Sequence, residues 1–147
     1  LGYSIEEIDL LLQKQSGLTG LTGLSDVRDI QERAEDGNEE CQFALDLMTY
    51  RIKKYLGSYM SILNGADAII FTAGIGENSA KVREMVCENM DFLGVSLDIE
   101  KNEKDEIRIS KGPTPVLVIP TNEELAIARE ERDILKKAVA IFSHPKE

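Results

Sequence analysis

The stretch FTAGIGENSAKVRE, Phe71 to Glu84, decides how this chain is read, because it joins the apolar run ADAII to a segment with helical spacing. A strand, a glycine-containing turn and a helix can hold a nucleotide, or they can simply reverse the chain. The dinucleotide fingerprint G-x-G-x-x-G uses its third glycine to let the helix lie close to the strand. Here Gly74 and Gly76 are present, but Ser79 stands in the third place. The Walker pattern requires G-K-[ST] where the helix opens, and Glu77, Asn78 and Ser79 stand there instead. Taken alone, the stretch supports a tight turn or a nucleotide loop of another kind. Its glycines would let backbone N–H groups approach a ligand, Ile75 would lie against a base or ribose, and Asn78 carries both a donor and an acceptor.

Outward from this stretch the chain alternates strand and helix. Residues 67–72 form a run with Ile69, Ile70 and Phe71 consecutive, as in a parallel strand covered on both faces. A helix is predicted over 79–92, burying Val82 and Val86 with Leu93 beyond it, and Gly94 stops it. VSLD and EIRIS read as short strands joined by a solvated turn, EKNEKDE. A second apolar strand, Val116 to Ile119, ends at Pro120, which cannot donate to a ladder. Thr121 or Asn122 then caps a last helix. On the amino-terminal side, Ser4 and Glu7 have capping-box spacing ahead of a helix over 5–15. The segment Gly17–Gly23, with glycine at every third position, reads as a loop. A long helix over 39–64 carries Ala44, Met48, Ile52, Tyr55, Tyr59 and Ile62 at steps of three and four. That stripe is expected to pack on the domain's own sheet, with a subunit interface as the alternative.

The totals narrow the functions. A chain of 147 residues, 42% hydrophobic and 30% charged, is long enough for one domain with a core. A formal net charge of -10 speaks against a nucleic-acid surface, which needs clustered Lys and Arg. No run approaches a membrane span and no signal peptide opens the chain, so the expectation is a cytoplasmic protein with neither membrane nor nucleic-acid partners. Cys41 and Cys87 are widely separated and read as reduced, mostly buried thiols. The only histidine is His144, in the polar tail, which leaves little room for histidine-assisted chemistry.

Two further stretches carry candidate chemistry. In SDVRD, Ser25 to Asp29, Arg28 between Asp26 and Asp29 suits a surface ion pair with a helix cap. That is the reading local sequence favours; the alternative is an arginine stacked on a purine beside a carboxylate that takes a ribose hydroxyl or the purine amino group. In PTNEEL, Pro120 to Leu125, two glutamates in a helix's first turn answer its dipole, while Glu123 alternatively holds hydrated Mg2+ beside a phosphate.

Together the three stretches resemble a known family. FTAGIGENSAKVRE with FLGVSLD after it, the earlier SGLTGLTGLSDVRD and the late VIPTNEELAIARE are similar to the carboxy-terminal part of the acetate kinases, the acetokinase family. The resemblance runs from about Leu11 to Arg129. It implies an α/β fold: a partial ribonuclease-H-like domain of the actin, sugar-kinase and Hsp70 superfamily, a mixed sheet with flanking helices. It implies phosphoryl transfer between ATP and acetate, giving acetyl phosphate and ADP, with Mg2+, in a homodimer joined through this domain. Residue by residue, it places Asp26, Val27 and Arg28 at the adenosine and Gly74, Ile75, Gly76, Glu77 and Asn78 around adenine and ribose. It places Glu123 at the metal.

The family's first domain supplies the arginines, histidine and aspartate around the transferring phosphoryl group, and none of these is present. Residues 1–122 are therefore expected to be an incomplete carboxy-terminal nucleotide-binding domain, and 123–147 a helix that packs back on the missing domain. The fragment alone is expected to be inactive, with no catalytic residue assigned. Butyrate and propionate kinases are the rivals within the class. An NAD-binding module and a non-catalytic dimerisation domain are the rivals outside it.

Overall fold

Helix α4, Glu39–Ile62, is the longest element of a computed structural model that describes residues 2–142. Asn38 caps it, the side-chain oxygen accepting from the Cys41 amide at 2.8 Å, and Glu39 and Glu40 meet the positive end of its dipole. Before it come α1 (Ile5–Lys14), α2 (Gly17–Thr22) and α3 (Val27–Glu35). After it come β1 (Ile69–Phe71), α5 (Ala73–Asn78), α6 (Ala80–Cys87), a 3-10 turn at Asp91–Leu93 and α7 (Ile99–Glu103). The chain then runs through β2 (Val116–Val118) into α8 (Glu123–Phe142).

β1 and β2 pair in parallel, with Ile69 opposite Val116 and Phe71 opposite Val118. A parallel pair requires a crossover, and α5, α6 and α7 lie within it. Antiparallel bridges from Leu97 to Ser110 and from Arg108 to Leu117 extend the sheet, so it is mixed. VSLD and EIRIS thus contribute single bridges rather than strands. The segment expected to be a solvated turn is corrected as well: Asp98 caps α7, whose Asn102 is buried.

Two apolar clusters fill the interior. One gathers Met60, Ile69, Cys87, Val95, Ile109 and Val116 around the strands, and the other gathers Val27, Ile30, Cys41, Leu45, Val82 and Val86 between α3, α4 and α6. α4 and α6 contribute to both, which fixes α3 relative to the strand ends. Both cysteines are free and buried. Burial pushes the Cys87 thiol up to about 12, so it stays protonated at neutral pH.

Three expectations need correction. The glycine-spaced segment is helical, because Leu18 packs into the second cluster against α4 and the Thr22 hydroxyl donates to the Leu18 carbonyl at 2.8 Å. Gly20 allows a close return, since a Cβ there would lie 2.8 Å from the Gln15 carbonyl oxygen. The stripe on α4 does not stay inside. Ala44 is buried and Met48 half-buried, but Ile52, Tyr55, Tyr59 and Ile62 are exposed; the buried line turns through Leu45, Thr49 and Met60, with Leu56 half-buried beside it. The helix over 79–92 ends at Cys87, and a separate helix, α5, precedes it.

Candidate functional site

GIGEN is not a loop. Thr72 leaves the strand with extended backbone, Ala73 takes a left-handed φ of 58°, and Ala73–Asn78 then closes into α5. The sharp reversal therefore falls on an alanine, at a conformational cost that glycine would not incur. Gly76 serves packing instead. A Cβ there would sit 3.3 Å from the Phe71 carbonyl carbon, so its bare backbone lets α5 lie against β1. This close approach is what the third glycine supplies in a dinucleotide fold. Ser79 is consequently free to cap α6, its hydroxyl oxygen accepting from the Val82 amide at 3.1 Å.

The same hydroxyl donates to the Gln31 side chain on α3 at 3.2 Å, tying α6 to α3. Beside this tie, between the start of α3 and α5, opens a cleft of about 630 Å³. One wall is the start of α3, with Ser25, Asp26, Val27, Arg28 and Gln31; the other is Gly74, Ile75, Asn78 and Ser79. Of the residues singled out in the sequence, Asp26, Val27, Arg28, Gly74, Ile75 and Asn78 thus line one cavity. Its size falls in the range of small-molecule sites.

Each wall is held by identifiable forces. Asp26 caps α3 through its carboxylate, which accepts from the Arg28 amide at 2.9 Å. The Arg28 guanidinium donates to both oxygens of the same carboxylate, at 3.0 and 2.6 Å. These bonds hold the Asp26 carboxyl down to about 2, so it is ionised at neutral pH. Arg28 is 83% exposed, which leaves its planar face open. The local readings as cap and ion pair therefore hold together with a place at the cleft. Val27 turns its side chain into the core and anchors the wall from behind. Asn78 donates to the Gly74 carbonyl at 2.8 Å, and Ile75 stands exposed.

Gly76 and Glu77 stand outside this lining. Glu77 reaches Thr121 instead, its carboxylate accepting from the amide at 2.8 Å and from the hydroxyl at 2.9 Å. Those bonds lower its affinity for a proton and tie α5 to the residue two before α8. The amide of Leu125 donates to the Asn122 side chain at 2.9 Å, so Asn122, one of the two caps expected, closes the helix start. Glu123 is the first residue of α8; its side chain lies outside the described residues, as does His144. Among the described residues no three acidic, His or Cys side chains converge.

Sequence reasoning missed Gln31 and Arg83. Gln31 is three residues after Arg28, hence on the same face of α3. Arg83 is three residues before Val86 and four before Cys87, on the apolar face of α6, and it is fully buried. A charge at a core position was the available signal.

The profile of the acetokinase family matches residues 1–129. The chain belongs to the acetokinase family. Its sequence is 51% identical over 141 residues to the acetate kinase of Natranaerobius thermophilus, covering 92% of this chain and 35% of that one. It is 48% identical over 147 residues to the acetate kinase of Methanosarcina thermophila, covering 97% and 36%. Among solved structures, Porphyromonas gingivalis acetate kinase superposes with a TM-score of 0.83 at 39% identity, covering 91% of this chain and 35% of that one. A propionate kinase from Francisella tularensis superposes with the same score, 0.83, at 41% identity, covering 88% and 34%. This acetokinase-family chain spans about a third of the length of the curated relatives it matches. Its fold is the mixed α/β fold of that part of the acetate and propionate kinases.

Proposed function

We propose that this chain is the nucleotide-binding carboxy-terminal portion of an acetate kinase, which transfers phosphoryl between ATP and acetate to give acetyl phosphate and ADP. The observation that carries this reading is the cleft that gathers Asp26, Val27 and Arg28 with Gly74, Ile75 and Asn78. Four of these residues present groups suited to adenosine, while Val27 anchors the wall from the core. The exposed guanidinium of Arg28 offers a planar cation to a purine face. The ionised Asp26 accepts from a ribose hydroxyl, Asn78 bonds the base edge, and Ile75 covers its apolar face. Gly76 and Glu77 serve the same site by setting α5 against β1 and against Thr121.

Phosphoryl transfer rests on positioning and on charge neutralisation at the phosphates. This chain provides the first for the nucleoside; the cations that surround the transferring group belong to the preceding two thirds of the enzyme. Mg2+, bound on the nucleotide phosphates, would neutralise charge there, and Glu123 would add a single carboxylate to it. The described side chains build no cation cage of their own. The described side chains of α8 are exposed throughout, which suits a helix that packs on the preceding domain. The exposed stripe of α4, with Tyr55, Tyr59 and Ile62, suits the contact of a homodimer. A cytoplasmic location accords with the lack, among the described residues, of any helix long and apolar enough to cross a membrane. A propionate kinase matches this portion as well as an acetate kinase does, which suits a choice of acid made elsewhere in the enzyme.

Calorimetric titration of the chain with ADP and, separately, with NADH tests the reading. The expected result is weak ADP binding, no tight NADH binding, and no acetyl phosphate made by the chain alone. Tight NADH binding without ADP binding would refute the nucleotide assignment; robust acetyl phosphate formation by this chain would refute the division of labour.

A further inference from the structure

Arg83 is the largest fully buried side chain among the described residues, and it serves the backbone of the helix that lines the cleft. Its Nη1 donates to the carbonyls of Gly76 at 2.9 Å and Glu77 at 2.8 Å. These carbonyls lie in the last turn of α5, where a helix leaves its acceptors without partners of its own. Nε donates to the Asn102 side-chain oxygen at 2.7 Å and Nη2 to the Asn102 carbonyl at 2.7 Å, while Nη2 also pairs with Asp105. The Asn102 amide group in turn donates to the Ala80 carbonyl at 2.9 Å. One guanidinium thus ties the end of α5 to α7 and to the turn that follows it.

We infer that Arg83 is a positioning residue for the nucleotide: held by Asn102 and Asp105, it sets α5 so that Gly74, Ile75 and Asn78 face the cleft. The inference rests on the proposed nucleotide site, and it assigns a role to a network that touches no ligand. α5 has six residues, too few to hold its own geometry, and it begins on the strained Ala73. Its orientation must come from outside. Gly76 against Phe71 sets the distance from the strand, Glu77 on Thr121 fixes one side, and Arg83 fixes the end. Lysine cannot substitute, because a single ammonium lacks the planar fork that reaches two carbonyls on one side and Asn102 and Asp105 on the other. Burial of the guanidinium removes water as a replacement partner.

Arg83→Lys and Asp105→Asn test this in the full chain, with Ile109→Val as a control for general destabilisation, since Ile109 is buried in the strand cluster. Asp105 has a φ of 51°, a conformation asparagine adopts readily, so Asp105→Asn folds even where Arg83→Lys does not. Three readouts are compared: melting temperature, the exchange rate of the Ser79 amide, which is bonded to the Ile75 carbonyl at 3.1 Å, and the calorimetric Kd for ADP. Relative to the control at equal loss of melting temperature, Arg83→Lys speeds Ser79 exchange and weakens ADP binding, each about tenfold; Asp105→Asn moves both in the same direction by about threefold. Wild-type Ser79 exchange and ADP affinity in both variants, despite lower melting temperatures, would overturn the inference. Failure of the wild-type chain to bind ADP would instead refute the nucleotide reading, and the exchange comparison would still decide whether Arg83 holds α5.

Discussion

The hydroxyl of Ser79 bonds two helices at once, accepting from Val82 on its own helix and donating to Gln31 on α3. It therefore caps α6 and braces the far wall of the cleft with the same atom. The residue that spoils the dinucleotide fingerprint is the one that joins the two walls. A glycine in that place would lose both bonds, and the packing it would otherwise serve is already supplied by Gly76.

Ser79→Ala removes the cap and the brace but keeps the helix-forming backbone. The loss of an N-cap costs about 1 kcal/mol, or roughly 2–4 °C in melting temperature for a chain of this size. Ser79→Gly loses the same bonds, but glycine is well tolerated at an N-cap, so it is expected to melt between Ser79→Ala and the parent. Thermal unfolding of both variants checks this, and a Ser79→Ala chain as stable as the parent would show that the cap and the brace are idle.

Arg28→Ala, introduced into the whole kinase, is expected to raise the KM for ATP about tenfold with little change in turnover, as loss of a partly desolvated stacking contact does. Arg28→Lys keeps the charge without the planar face and falls between. Glu123→Ala shows the converse, with reduced turnover and a shifted Mg2+ requirement. Steady-state kinetics against ATP and Mg2+ separate the two; the opposite pattern would exchange the assignments.

Asp26 makes a signed prediction for pH. Its carboxyl is held down to about 2 from the ordinary 3.8, chiefly by the hydrogen bonds from Arg28, so the folded state binds its proton more weakly than the unfolded state does. The stabilisation is fully present above the unfolded value and disappears as pH falls through the folded one. Asp26→Asn keeps an acceptor for the cap and removes the charge. The stability difference between parent and variant should be constant from neutral pH to about 4 and should shrink between there and about 2. Urea unfolding at a series of pH values measures it, and a difference that persists unchanged to the acid end would rule out the charge pairing.

Much of this was legible in the chain. The capping box at Ser4 and Glu7, the apolar strands and the long helix follow from local pattern, and the three stretches that carry the family resemblance stand out in the sequence itself. What escaped depends on distant partners. α2 is helical because Leu18 finds α4, and a segment of glycine and threonine carries no sign of that. The α4 stripe turns outward because α3 and α6 occupy its other side. α5 begins on Ala73, a residue with no preference for left-handed backbone, so the glycines drew attention to the wrong position. Arg83 was visible as a charge on an apolar face, but its acceptors are backbone carbonyls, which no sequence pattern displays.

The central claim is that adenosine lies between α3 and α5. The most direct measurement is an ADP titration of the isotope-labelled chain, followed by the amide shifts of every resonance. The account predicts that Val27, Arg28, Gly74, Ile75 and Asn78 shift together along one binding curve. Shifts confined to other surfaces, such as the apolar groove between α2 and α4 lined by Leu21, Leu47 and Tyr55, with residues 26–28 and 74–78 unmoved, would contradict it.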